Sequence, residues 1–285
     1  MKKILAALVA ASGLALAAPA SAVVVGGIDF GAAGGSPTNI HLDTSTLAQT
    51  FVNGNDQSAT SYGVITSVNA DTTYCAGNGT CGLFYVANYS GSQNFAPDGS
   101  YVEFTSATFT VYYAAVASAL NLFDQNSAAN LALISGLTPW LTLTGHNNLG
   151  GISPPADPTA VLTGGGTLTG ASLSGDGFGL LDVNAAGAGD LAAIAFLNSN
   201  GILDAIGGLA DMVVTSSFNN AVLNPFDVTS GLANGCKTGT AAVGAWCYQG
   251  TANFRGTTTV PEPGGLALFA IALAGLGVSV RSRKS

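Results

Sequence analysis

Residues 101–112 read YVEFTSATFTVY and form the clearest β-strand pattern in the chain. Aromatic and β-branched residues dominate this segment, and such side chains fit the pleated surface of a sheet. Clusters of Gly, Asn, Asp or Pro separate it from similar short runs at 62–68, 82–89, 140–144, 167–173, 212–218 and 251–257. Short strands with turn signals between them indicate an all-β protein, and we predict an antiparallel β-sandwich.

A few segments depart from the strand pattern. Asp190 is a favourable N-cap for the Ala- and Leu-rich residues 191–197, and a second candidate helix lies near 127–134. We therefore expect one or two short helices beside the sheets. Residues 150–158 contain three prolines and predict a loop. The glycine-rich segments 164–166 and 175–179 are interpreted as β-turns, because they lack the spacing of a nucleotide-binding loop.

The N-terminus has the three parts of a secretory signal peptide. Lys2 and Lys3 precede an apolar run that ends at Ala18. The run is followed by Pro19 and by the small residues Ala-Ser-Ala at 20–22. The apolar part is too short for a stable membrane anchor. We predict a signal peptide at 1–22, which signal peptidase cleaves after residue 22.

The C-terminus combines a short motif, an apolar stretch and a basic end. The motif consists of Pro261, Glu262 and Pro263 and is followed by the apolar residues 264–280. The tail 281–285 contains the basic residues Arg281, Arg283 and Lys284. The apolar stretch is near the lower length limit for a transmembrane helix. Basic residues prefer the cytoplasmic side, so the β-rich body 23–259 is expected to face outward.

Residues 260–285 resemble the PEP-CTERM sorting signal of Gram-negative bacteria. The resemblance implies that an exosortase, a membrane-embedded cysteine transpeptidase or protease, processes this tail. The chain is then an inner-membrane-anchored precursor that ends at the cell surface or in the extracellular matrix. Proteins with this tail are typically associated with extracellular polysaccharide, biofilm or floc formation. The cysteine pair near residue 80 and segments 140–146 and 215–218 also resemble flocculation-associated members.

The body is acidic and sparsely charged. It keeps two of the seven basic residues, Lys237 and Arg255, and fourteen of the fifteen acidic ones, so its formal charge is about −12. Such a surface has no basic patch that could release counterions from a phosphate backbone. Nucleic acid is therefore excluded as a partner.

All four cysteines lie in the exported body. Cys75 and Cys81 bracket a Gly/Asn turn, and Cys236 and Cys247 bracket another segment of small residues. An even number of cysteines in an oxidising compartment predicts two local disulfides, 75–81 and 236–247. The alternative, a zinc site, requires a closer spacing of the cysteines and a nearby histidine.

The sequence contains no recognisable catalytic site. There is no Gly-x-Ser-x-Gly motif, His41 and His146 are isolated, and Glu103 is the only Glu of the body. His146 is interpreted as a polar turn residue. We therefore predict a protein that is not an enzyme, with no catalytic residue and no metal site. Calcium is the one cofactor that the sequence suggests. Its candidate ligands are Asp176, Asp182 and Asn184, or Asn53, Asn55 and Asp56. The alternative is that these residues form turns.

Three functions are compatible with these observations. We favour a non-catalytic surface or matrix protein that contributes to adhesion, biofilm or floc formation. The alternative is a carbohydrate-binding module for exopolysaccharide, in which exposed aromatic rings stack on sugars; the candidates are Tyr112, Tyr113, Trp140 and Trp246. A secreted hydrolase is the third interpretation, and it requires a cleft with two paired carboxylates.

Overall fold

The computed structural model describes residues 23–31, 39–153 and 155–258. The strands are β1 Val24–Val25, β2 Ile28–Asp29, β3 Ile40–Thr50, β4 Ala59–Val68, β5 Gly82–Gln93, β6 Tyr101–Ala114, β7 Thr138–His146, β8 Leu162–Thr167, β9 Ser174–Val183, β10 Ile202–Leu203, β11 Leu209–Ala210, β12 Met212–Asn219 and β13 Trp246–Gly256. The helices are α1 Ser127–Ser135, α2 Leu191–Leu197 and α3 Pro225–Thr229, and 3-10 turns occupy Ala76–Asn78 and Ala117–Ala119.

Nine of these strands form one antiparallel sheet that closes on itself. The order is β12-β13-β3-β4-β5-β6-β7-β9-β8, and β9 pairs in addition with β12. This closing pair runs from Met212 opposite Leu181 to Asn219 opposite Ser174. β7 and β8 share one place in the ring, because both pair with β6 and with β9. The result is a barrel-like sheet with eight strand positions.

The predicted β-sandwich is therefore wrong, although the all-β, antiparallel class is confirmed. A sandwich consists of two separate sheets with free edges, whereas the β9–β12 pair joins what would otherwise be edge strands. Both architectures bury one face of every strand, so the alternation of side chains along each strand is the same in both. The local pattern could not distinguish them.

Most predicted strands are confirmed, whereas β3 was not among them and the glycine-rich β8 and β9 were not recognised. The predicted strand 167–173 is wrong, because only Thr167 belongs to β8 and residues 168–173 connect it to β9. The glycine-rich segments interpreted as turns belong to those two strands. A Cβ atom on Gly175 would lie 2.1 Å from the carbonyl oxygen of Gly165, so the two strands approach too closely for any side chain there. At these positions glycine allows the two strands to pair closely, and it does not form a turn.

Both predicted helices are confirmed. α2 begins after Asp190, whose carboxylate accepts hydrogen bonds at 3.0 Å from the N–H groups of Ala192 and Ala193. α1 lies outside the barrel, where its buried Ile134 belongs to a cluster with the outward-facing Phe84 of β5. The third short helix, α3, has no counterpart in the sequence prediction.

The barrel interior is an apolar core closed at one end by the N-terminal segment. Leu42, Leu141 and Leu181 are at most 1% exposed. Phe30, which precedes the first gap in the described chain, packs against Phe196 of α2 with ring centroids 4.9 Å apart. Residues 23–31 and α2 thus cover the end of the barrel at which β3 begins and β13 finishes.

Both predicted disulfides are present. Cys75 is bonded to Cys81, and Cys236 to Cys247, with Cα–Cα distances of 5.7 and 5.3 Å. The predicted signal peptide, Pro-Glu-Pro motif, membrane helix and basic tail lie outside the described residues. In the part of the chain that the structure describes, no helix has the length and apolar character needed to cross a membrane.

We predict that Phe109→Ala lowers the free energy of unfolding by about 3–5 kcal/mol. Phe109 is 3% exposed, and its ring lies 5.5 Å from Tyr89 and 5.4 Å from Phe254, so it links strands on different sides of the interior. Urea unfolding with the disulfides intact measures the change. Phe123→Ala is the control, because Phe123 is 52% exposed. Equal losses in the two variants would contradict this packing.

Candidate functional site

His146, at the end of β7, lies between two carboxylates. Its Nδ1 is 2.9 Å from Oδ2 of Asp182, and its Nε2 is 3.1 Å from Oδ2 of Asp204. The other oxygen of Asp204 accepts hydrogen bonds from the N–H groups of Ile206, at 2.9 Å, and Gly208, at 2.6 Å. The Asp204 side chain is only 2% exposed. The group connects β7, β9 and the β10–β11 hairpin.

Electrostatics favour the charged form of this histidine. Burial alone would lower the pKa of His146, but its hydrogen bonds to both carboxylates and their negative charges raise it above the ordinary value. Burial would likewise raise the pKa of Asp204, and the hydrogen bonds from His146 and two backbone N–H groups lower it instead. A general base needs a free ring nitrogen. His146 has none, so its arrangement is that of a structural ion pair.

The other two candidate acid–base residues, His41 and Glu103, also have polar partners. Nε2 of His41 is 3.1 Å from both Asp43 and Asn253 on the outer surface of the barrel. Glu103 is 2% exposed, and its carboxylate accepts four hydrogen bonds, from Gln93, Asn94, Tyr101 and the backbone of Asp157. A carboxylate with so many donors is held in place as part of the structure.

The structure separates two of the candidate calcium ligands and gives hydrogen-bond partners to two others. Asp176 and Asp182 are six residues apart on β9, which corresponds to roughly 20 Å along a strand. Asn53 and Asn55 use their side-chain oxygens to accept hydrogen bonds from Gln57 and from the N–H of Phe95. Within 23–31, 39–153 and 155–258, no group of three or more His, Cys, Asp or Glu side chains could hold a metal ion.

The four aromatic residues proposed for sugar stacking do not form an exposed row. Trp140 and Trp246 are 2% and 8% exposed, and the indole N–H of Trp140 donates to the carbonyl of Gly26 at 3.1 Å. Tyr112 and Tyr113 are half-buried against the core. The tryptophans are core residues and cannot contact a polymer at the surface.

A cavity of about 60 Å³ remains inside the barrel, between aromatic rings. The hydroxyl of Tyr85 is 2.6 Å from Oγ1 of Thr46, and that of Tyr89 is 3.0 Å from Oγ of Ser61, so these phenols face the wall. Burial raises the pKa of Tyr85 to about 12. No charged side chain is among the described residues that line the cavity. It can hold a few water molecules or a small neutral apolar group, but not a charged substrate.

The outer surface of four neighbouring strands forms a continuous polar face. We define the polar face by polar side chains that point outward from β9, β12, β13 and β3, which are Asp176, Thr215, Ser217, Asn219, Gln249, Thr251, Asn253, His41, Asp43 and Ser45. The outward residues Phe178, Leu180 and Val213 belong instead to an apolar cluster at its border. Three cross-strand hydrogen bonds of 3.1 Å join its rows, namely Ser217–Thr251, Asn219–Gln249 and Asn253–His41. Hydroxyl and amide groups predominate on this face.

The polar face escaped the sequence analysis, although its signal is present. In β12 the polar residues Thr215, Ser217 and Asn219 alternate with inward-facing residues, and β13 repeats the pattern with Gln249, Thr251 and Asn253. Such alternation indicates a half-buried strand. The lateral neighbours of these strands could not be inferred locally, because β13 pairs with β3 across some 200 residues of chain.

We predict that His146→Gln reduces stability more at about pH 5.5 than at about pH 9. The pKa of His146 is raised on folding, so its contribution is complete below the ordinary value of 6.5 and is lost as the pH rises through the raised value. The pKa of Asp204 is lowered, so its contribution exists above 3.8 and is lost as the pH falls through the lowered value.

Urea unfolding at both pH values measures this difference. His41→Gln is the control, because it removes the more exposed histidine, whose side chain is 38% exposed against 14% for His146. A destabilisation by His146→Gln that is independent of pH would show that the imidazole is not charged in the folded protein.

Comparison with known proteins adds one finding, at the C-terminus. The family model described as the PEP-CTERM protein-sorting motif matches residues 259–284, directly after the last described residue. No curated protein matches the chain. The match confirms the resemblance carried by the Pro-Glu-Pro motif, the apolar stretch and the basic end, and it implies processing by an exosortase, which is a membrane protease. The chain therefore carries a PEP-CTERM sorting signal and is an exported substrate of an exosortase.

Proposed function

We propose that the barrel is a non-catalytic protein of the cell surface or extracellular matrix that binds exopolysaccharide through the polar face and so contributes to adhesion, biofilm or floc formation. The polar face is the observation that carries this proposal. It offers rows of hydroxyl and amide groups on neighbouring strands, which lie about 4.8 Å apart. The sorting signal supports this proposal, because an exported protein can meet polymers outside the cell.

The chemistry of the polar face favours a neutral polymer of sugars. Hydroxyl and amide groups can both donate and accept hydrogen bonds, as sugar hydroxyls do. The body has a formal charge of about −12, so a strongly acidic polymer would be repelled. An open face without a pocket binds each segment weakly, and binding of one long polymer to many copies supplies the avidity.

The state of the acid–base groups supports a non-catalytic role. His146 has both ring nitrogens engaged with carboxylates, and the carboxylate of Glu103 is buried with four donors. Neither arrangement leaves a group free to exchange a proton with a substrate. The hydrolase alternative receives no support from these residues.

We predict that the double variant Thr215→Val/Thr251→Val binds exopolysaccharide at least about fivefold more weakly, since each lost hydrogen bond contributes about 0.5–1.5 kcal/mol. Valine keeps the shape and strand preference of threonine. The purified 23–258 fragment is suitable for this test because the ring of strands is complete within it. Sedimentation with polysaccharide from the producing cells measures binding.

The control is Thr108→Val/Thr110→Val, which removes two outward hydroxyls of β6, away from the polar face. It should bind like the wild type. Equal binding by all three proteins would overturn the role of the polar face, and an equal loss in both variants would show that binding is not confined to it.

We predict that replacing Pro261, Glu262 and Pro263 by alanine traps the uncleaved precursor in the inner membrane. Proline disfavours the helical conformation for the residue that precedes it, so the change removes a restriction on Glu262 that we expect the exosortase to require. Cell fractionation with mass measurement of the C-terminus follows the processing. Ser282→Ala/Ser285→Ala leaves the motif, apolar stretch and charges intact and should be processed normally. An alanine motif that is cleaved and released like the wild type would reduce the tail to a simple anchor.

A further inference from the structure

We propose that the β10–β11 hairpin rests on the lipid bilayer while the precursor is anchored, and that this contact positions the sorting motif for the exosortase. The hairpin exposes three large apolar side chains within seven residues: Leu203 is 70%, Ile206 78% and Leu209 48% exposed. Contiguous exposed apolar side chains are a feature of protein and membrane interaction sites. The proposal uses a surface other than the polar face and does not depend on polysaccharide binding.

The hairpin is held rigidly in this exposed position. Its strands pair through Ile202 with Ala210 and Leu203 with Leu209. Asp204 accepts two hydrogen bonds from the turn and contacts His146, and the N–H of Ala205 donates to the carbonyl of Asn148 at 2.9 Å. The fold thus uses an almost buried carboxylate to fix a turn whose apolar side chains point into solvent.

The location of the hairpin identifies the bilayer as the partner. β13 ends at Gly256, which lies opposite Met212, and the hairpin leads directly into that residue through Asp211. Beside the hairpin, Oγ of Ser199 is 3.0 Å from Oγ1 of Thr257. The chain therefore leaves the barrel next to the root of the hairpin.

The length of the remaining chain keeps the two close together. Five residues lie between Thr258 and Gly264, where the apolar stretch predicted to span the membrane begins, so the two are six steps apart along the chain. This connection reaches at most about 20 Å when extended, and the four residues from root to tip of the hairpin reach about 13 Å. The end of the barrel that carries the hairpin must stay near the membrane surface, and the Pro-Glu-Pro motif lies in the short connection.

The charges near the hairpin permit contact with headgroups. His146 compensates one of its two carboxylate partners, Asp182 and Asp204, and the exposed Arg255, one of the two basic residues of the body, lies on β13 one residue before its end. Leu and Ile side chains enter the boundary between headgroups and acyl chains. Three of them add a weak contact to the anchor and orient the barrel, without anchoring it by themselves.

A single fluorescent label on the full chain tests the contact. All four cysteines form disulfides, so Ile206→Cys introduces one reactive thiol for an environment-sensitive dye. Thr251→Cys, on the polar face, is the control. The precursor is placed in vesicles of phosphatidylethanolamine and phosphatidylglycerol. We expect blue-shifted emission and quenching by a lipid-attached nitroxide at position 206 only. Equal, water-like emission at both positions would overturn membrane contact.

A triple variant tests the consequence for sorting. Leu203→Ser/Ile206→Ser/Leu209→Ser keeps the turn and its Asp204 support, and we expect tail removal in cells to slow several-fold. Unfolding of the purified barrel and its binding to polysaccharide serve as controls and should be unchanged, because the three side chains are exposed and lie off the polar face. Processing at the wild-type rate would overturn the positioning role, whatever the outcome for polysaccharide binding.

Discussion

The pairing of β9 with β12 is the interaction on which the rest of the structure depends. It joins eight residue pairs between strands that are otherwise ends of an open sheet, from Met212–Leu181 to Asn219–Ser174. Closure removes the exposed edges that would invite pairing with other chains. It also divides every strand into an inner and an outer face.

The two faces created by closure have different roles. Inside, rings such as Phe109 and Phe254 pack across the barrel, and the tyrosine hydroxyls turn toward its wall. Outside, hydroxyl and amide groups provide solubility in a body that has only two basic residues. The proposed functions use two parts of this outer surface, the polar face and the apolar hairpin, which packs against Leu180 and Val213 near the point where the chain leaves the barrel.

The sequence was sufficient for features that depend on neighbouring residues. The N-cap Asp190, both short disulfides and the strand at 101–112 follow from local chemistry, and the structure confirms each. The C-terminal signal was equally local and was found by its three-part pattern. These features required no knowledge of the fold. Features that depend on distant residues were missed. Closure rests on hydrogen bonds between β9 and β12, and β9 was hidden because its alternating glycines, at 175, 177 and 179, resemble turn residues. His146 was predicted to be a turn residue, and only the folded chain shows its two carboxylate partners, which come from two other elements. Such contacts are properties of the topology, not of any segment.

Amide hydrogen exchange in β12 tests the closed sheet most directly. In a closed barrel every strand has neighbours on both sides, so residues 212–219 should exchange as slowly as the central strands β4 and β5 and open only with global unfolding. Mass spectrometry of the 23–258 fragment resolves this segment. Rapid exchange of alternate amides in β9 and β12, as at the edges of an open sheet, would contradict closure and the continuous polar face that depends on it.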